Sequence, residues 1–458
     1  MAVFVSLVAM LLSLAGCGRR VCPVGTVDSS AGEEAKPAES NSTKVGLGYF
    51  EHVVIIVQEN RSTDNLFHDA VLMARGADIA TTGVNSRGET IRLTPVSLAA
   101  KYDLDHSHLA FIRMFDHGKM DGADQVTPSC IAEPCVFPAN PQFKYVNPAD
   151  VAPYFQIAEQ YTFADRMFQT NQGPSFPAHQ YLLAGTSQPT ANSLFFVAEN
   201  PNDLLNPSTP TGCTAPKEER VRMIGPRGNE DRRIYPCFEH STLPDLLDAK
   251  GITWRYYTSA PDSIWTAPNA IEHLSCGPDW TTNVTVNQTL VLQHIAQGQL
   301  AAVTWVIPNG QASDHADATD GSGPSWVASI VNAVGNSPYW SNTAILITWD
   351  DWGGWYDHVA PRIISFYEYG FRVPLIVVSS YSKPGHISHV QHDFGSILKF
   401  IENNFGLASL GYADKPADDL SDCFDFNQRP LSFHPITAKY SAKYFLTDTR
   451  PPLPPDDD

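Results

Sequence analysis

Apolar residues in this chain gather in short unbroken runs rather than alternating with polar ones. His52–Gln58 (HVVIIVQ), Ala302–Ile307 (AVTWVI), Thr343–Trp349 (TAILITW) and Pro374–Ser379 (PLIVVS) each read as a strand covered on both faces. Amphipathic stretches lie between them. Leu243–Lys250 reads as a helix closing at Gly251, a residue suited to a C-cap, and Ile252–Thr258 then reads as strand. Pro324–Val334 and Asp393–Phe405 also carry helical spacing. Strands alternating with helices predict an α/β fold with a largely parallel central sheet and helices on both faces. We expect a single large domain over residues 46–446, with loop insertions. Ligands in such sheets bind beyond the carboxyl ends of the strands.

The ends read differently. Ala2–Gly16 is apolar or small throughout, too short to span a bilayer but right for a secretory leader. Leu14-Ala15-Gly16-Cys17 resembles a lipobox, so residues 1–16 are expected to be a signal peptide with Cys17 lipidated. Residues 17–45 form a polar tether, and 447–458 a Pro/Asp-rich tail. This predicts export to a bacterial periplasm or cell surface. Eight cysteines fit an oxidising compartment; Cys130 with Cys135 and Cys213 with Cys237 are spaced to close small loops.

Charge narrows the partners. With 30 Lys and Arg against 49 Asp and Glu, a net charge of −19 argues against nucleic acid or a broad anionic membrane surface. Membrane contact is expected only through a lipid anchor or the substrate. A hydrophobic fraction of 43% is enough for a large core and excludes a wholly disordered chain.

Two strands run into oxygen-rich acidic pairs: the first into Glu59-Asn60, the other into Asp350-Asp351. Adjacent carboxylates repel unless a cation lies between them, so these four residues predict a hard-oxygen site for a divalent ion. The donor set leaves Ca, Mg, Mn and Fe open. A third segment, Asn171-Gln172-Gly173-Pro174-Ser175-Phe176-Pro177-Ala178-His179, places Ser175 at or just before a helix N-terminus. A serine there is most often an N-cap, and only its neighbours make it a candidate nucleophile.

The segments EHVVIIVQENRSTDNLF, DLDHSH, GKMDG, NQGPSFPAHQYLLAGTS, SDHAD and AILITWDDWGGWYDHVAP together resemble the bacterial phosphoesterase family. That family includes phosphatidylcholine-type phospholipases C and acid phosphatases. The resemblance implies an alkaline-phosphatase-like fold, with Glu59, Asn60, Ser175, Asp350 and Asp351 as metal ligands. It further implies Ser175 as nucleophile, with His106 and His315 lining the phosphate pocket, one of them protonating the leaving oxygen. Lys119 and His358 are expected to bind substrate or brace the loop, with Asp121 as the partner of Lys119.

The chain departs from the family pattern in places. ENRS is followed by Thr63-Asp64-Asn65-Leu66-Phe67-His68 instead of Phe-Asp-His-Tyr-Phe-Gly, and His179 replaces an Asn-containing pair. The short C-terminus and the serine nucleophile favour an acid-phosphatase-like enzyme acting on phosphomonoesters. The alternative is a phospholipase C acting on diesters. A non-catalytic surface binding protein is the reading outside the enzyme class. Pro174-Ser175-Phe176-Pro177-Ala178 lacks the pattern a sulfatase needs.

Overall fold

A computed structural model describes residues 48–130, 134–201 and 210–453. The expected leader, the Cys17 anchor and the tether lie outside the described residues.

Eight strands build the central sheet: β1 (His52–Gln58), β2 (Thr162–Ala164), β3 (Trp254–Thr258), β4 (Val284–Val286), β5 (Val303–Val306), β6 (Thr343–Trp349), β7 (Leu375–Ser379) and β8 (Ile387–Ser388). Their spatial order is β4-β3-β5-β1-β6-β7-β2-β8. All neighbours run parallel except β7, which is antiparallel to both β6 and β2. The sheet is therefore largely parallel, with one reversed strand. Unbroken apolar runs could not reveal that reversal, because a strand buried on both faces reads the same in either direction.

Every residue of β6 is buried, so both faces of the sheet are covered there. The principal helices are α1 (His108–Phe115), α2 (Ser175–Ala184), α3 (Leu243–Ala249), α4 (Gly323–Gly335) and α5 (Phe394–Phe405). Helix α2 packs on α5, and Trp305 of β5 donates its indole N–H to Leu182 O in α2 at 3.3 Å. The α5 N-cap is Asp393, whose side chain accepts from Ser396 N, and Gly406 ends the helix at φ +64°. Gly251 takes the left-handed conformation expected of it after α3.

Loop insertions surround this frame. A three-stranded antiparallel ribbon joins Phe196–Val197, Val221–Ile224 and Arg232–Ile234, and the Cys213–Cys237 disulfide brackets part of it. Cys130 and Cys135 close their small loop, Cys276 is also disulfide-bonded, and Cys423 is a buried thiol. One large apolar cluster fills the sheet and its helices. A second, built on Leu104, Phe111, Trp352, Trp355 and Phe371, holds the loops beyond β6.

Candidate active site

Strands β1 and β6 pair in parallel and in register, with Gln58 opposite Trp349 at their carboxyl ends. The next residues, Glu59-Asn60 and Asp350-Asp351, are thereby brought side by side. Asn60 turns into the left-handed region at φ 60°, a conformation asparagine tolerates, and its N–H donates to Asp350 Oδ1 at 3.0 Å. Gly353 completes the turn at φ +63°; a Cβ there would lie 2.2 Å from Asn60 O.

Ser175 is the first residue of α2, and Pro174 occupies the N-cap. The serine hydroxyl does not cap the helix. It donates toward Asp351 Oδ2 at 3.2 Å and lies 3.4 Å from Asn60 Oδ1. Phe176 N–H at the same helix start donates to Asn200 Oδ1 at 2.9 Å.

His106 sets the orientation of Asn60. Its Nδ1 lies 2.8 Å from Leu104 O, which can only accept, so Nδ1 carries the proton of the neutral ring. Nε2 then accepts from Asn60 Nδ2 at 2.9 Å, turning the amide oxygen toward Ser175. His315 is buried beside it, with ring centroids 6.0 Å apart and Nδ1 2.6 Å from Ala316 O. Glu59, Asn60, His106, Ser175, Asp350 and Asp351 are all fully buried.

His179, named from sequence only as a departure from the family pattern, joins this group. It stands one turn beyond Ser175 on α2, with Nε2 3.3 Å from Glu59 Oε1 and 3.7 Å from Asp350 Oδ2. Burial pushes its pKa down to about 4, against a weaker opposing pull from Asp350, so the ring is neutral at pH 7. The signal was its spacing of four from Ser175, which puts both on one helix face.

Two other expected residues lie elsewhere. Lys119 is 63% exposed and pairs with Asp116 at 2.5 Å, so Asp116 takes the role expected of Asp121. His358 belongs to a buried ion network: its Nδ1 lies 2.6 Å from Asp64 Oδ2 and its Nε2 3.0 Å from Asp78 Oδ1. Burial opposes its charge, but the bond to Asp64 and the carboxylates around it lift its pKa to about 9. Arg372, fully buried, binds Asp64 Oδ1 at 3.0 Å and Asp357 Oδ1 at 2.9 Å. This network ties the chain after Asn60 to the chain after Asp351. Sequence reading missed it, because Asp64, Asp357 and Arg372 carry no motif that pairs them.

A divalent cation fits the Glu59, His179 and Asp350 group. Their donor atoms lie within 4.8 Å of one another, and Asp350 Oδ2 is buried without a hydrogen-bond partner among the described residues. Asp64, Asp357 and His358 form a second such group, but the Arg372 guanidinium already supplies its cation.

The strand-end position of this site in an α/β sheet defines a class, proteins that bind ligand beyond the carboxyl ends of parallel strands. The chain belongs to the Phosphoesterase family, whose model matches residues 50–408. It is 24% identical over 457 residues to a non-hemolytic phospholipase C of Pseudomonas aeruginosa, covering 86% of this chain and 60% of that protein. It is 22% identical to phospholipase C B of Mycobacterium tuberculosis, covering 83% and 78% of the two chains. It is also 21% identical to non-specific phospholipase C6 of Arabidopsis thaliana, covering 87% and 76%. The chain thus spans less than two thirds of the Pseudomonas relative's length. Among solved structures, a protein in the alkaline phosphatase superfamily from Vibrio parahaemolyticus matches 82% of this chain and 70% of its own, at 9% identity and a TM-score of 0.37. No helix among the described residues is long and apolar enough to cross a membrane.

Proposed function

We propose that this protein is a phosphoric ester hydrolase that uses Ser175 as nucleophile. The observation that carries this reading is the Ser175 hydroxyl, which is withheld from capping its own helix and directed at Asp351 Oδ2 and Asn60 Oδ1.

Glu59, Asn60, Asp350 and Asp351 would hold a divalent ion, which lowers the pKa of a bound hydroxyl and offsets charge on phosphoryl oxygens. Ser175 Oγ attacks phosphorus in line while its proton passes toward Asp351 Oδ2. The Oγ–P bond forms and the ester O–P bond breaks. His106 keeps the Asn60 amide oriented in this step, since its Nε2 is taken up by Asn60 Nδ2. His315, its Nδ1–H held by Ala316 O, would enter this step as imidazolium, so that Nε2–H donates to the departing alcohol and the neutral ring left behind can take a proton from the incoming water. Water then cleaves the phosphoserine.

The monoester expectation rests on the serine nucleophile. A diester substrate is the second reading, favoured by the similarity to phospholipases C. Release of p-nitrophenol from its phosphate monoester and from its phosphorylcholine diester, with and without chelator, tests both. Faster monoester turnover supports a phosphatase, and faster diester turnover a phospholipase C. Release from neither leaves a binding protein. Export with a lipid anchor at Cys17 is part of the same proposal, and mass analysis of the mature N-terminus checks it.

A further inference from the structure

We propose that His179 is itself a ligand of the metal centre, and that the resulting mixed nitrogen and oxygen donor set selects a first-row transition ion over Ca²⁺ or Mg²⁺. The inference rests on the metal-dependent reading above and deepens it.

Geometry carries the argument. His179 Nε2 faces three carboxylate oxygens at similar separations: Glu59 Oε1 at 3.3 Å, Glu59 Oε2 at 3.5 Å and Asp350 Oδ2 at 3.7 Å. A hydrogen bond from an imidazole to a carboxylate would choose one oxygen and close to about 2.7–3.2 Å. Both oxygens of Glu59 and one of Asp350 stand at longer range, the spacing of donors from three side chains that share one ion. Donor bonds of about 2.1 Å around a tetrahedral ion give edges of about 3.4 Å. A six-coordinate shell around Ca²⁺, with bonds of about 2.4 Å, has edges of the same length, so the separations point to a shared ion and the nitrogen donor, not ion size, sets the choice among ions.

Position and chemistry agree. Ser175 and His179 share one face of α2, so the helix that presents the nucleophile also presents the nitrogen donor. His179 is 1% exposed, and Glu59 and Asp350 have no exposed surface. Its ring nitrogen therefore has no access to bulk water as a partner. Imidazole is a preferred donor for Zn²⁺, Fe²⁺ and Co²⁺ and a poor one for Mg²⁺ and Ca²⁺, which prefer all-oxygen shells. A histidine added to an otherwise all-oxygen set thus shifts selectivity toward the transition ions.

The test begins with the full mature protein, stripped of metal and dialysed against an equimolar mixture of Mn²⁺, Co²⁺, Zn²⁺, Mg²⁺ and Ca²⁺. Bound metal is counted by mass spectrometry, and the Mn²⁺ form is examined by pulsed electron paramagnetic resonance for a directly bound imidazole nitrogen. We expect a transition ion at a preference of more than about tenfold. We also expect a nitrogen coupling that disappears, together with that preference, in His179→Gln. His179→Asn serves should the glutamine variant fail to fold. Equal loading of Mg²⁺ or Ca²⁺, or a nitrogen coupling unchanged in the variant, overturns the role of His179 and leaves the phosphoesterase reading standing. A wild-type protein that retains no divalent ion overturns both.

Discussion

The Ser175 hydroxyl lies 3.2 Å from Oδ2 of Asp351, a residue 176 positions further along the chain. One comes from the first turn of a helix and the other from the end of a strand. Their meeting places a serine hydroxyl at a helix start against a buried loop carboxylate, the contact on which the proposed proton transfer rests.

Replacement of Ser175 follows from this contact. Ser175→Ala is expected to keep the native thermal midpoint and to lower phosphoester turnover by about a thousandfold or more. Acid-quenched wild type given ³²P-labelled substrate should carry label on Ser175. Turnover within tenfold of wild type in the alanine variant would remove the serine from the mechanism.

Gly353 predicts a different kind of defect. Its φ is +63°, and a Cβ at this position would come within 2.2 Å of Asn60 O, so Gly353→Ala must push the Asn60 turn away. The strain at such a position costs about 1–3 kcal/mol. Urea unfolding should show that loss, and turnover should fall with it, because Asn60 orients toward Ser175.

The Arg372 network should be costly to break from one side. Arg372→Met leaves Asp357 buried without its guanidinium and Asp64 with His358 alone, and removing one partner of a buried ion pair costs about 3–5 kcal/mol. Arg372→Lys should recover only part of this, since one ammonium cannot reproduce the three bonds that Nε and Nη2 make to the two carboxylates. Denaturant midpoints of the two variants check the order.

His358 makes stability depend on alkaline pH. Its folded pKa is raised to about 9 from 6.5, so its protonated form is favoured by folding. Its contribution is complete below about pH 6.5 and is lost as pH rises through about 9. The thermal midpoint should fall between pH 7 and pH 10, and by less in His358→Gln. Identical profiles for the two proteins would show that the network does not titrate.

The boundaries of β1 and β6 were legible in the sequence to the residue, because burial on both faces demands unbroken apolar runs ending where polar chemistry begins. The same runs placed Glu59-Asn60 and Asp350-Asp351 at strand ends, and the helix signals around Pro177 placed Ser175 at the start of α2. Local rules sufficed for these, since each depends on residues close in sequence.

What only the tertiary structure decided was which of these pieces meet. The parallel register of β1 with β6 brings the two acidic pairs together, and nothing in either run specifies its neighbour. The reversal of β7, the Arg372 clamp between two loops and the turn of His179 toward Glu59 and Asp350 have the same origin. Each is an energy of contact between groups distant along the chain, set by how the sheet stacks its strands rather than by any local preference. The sequence by itself determined the elements and the chemical groups at their ends; packing determined that those groups form one buried site.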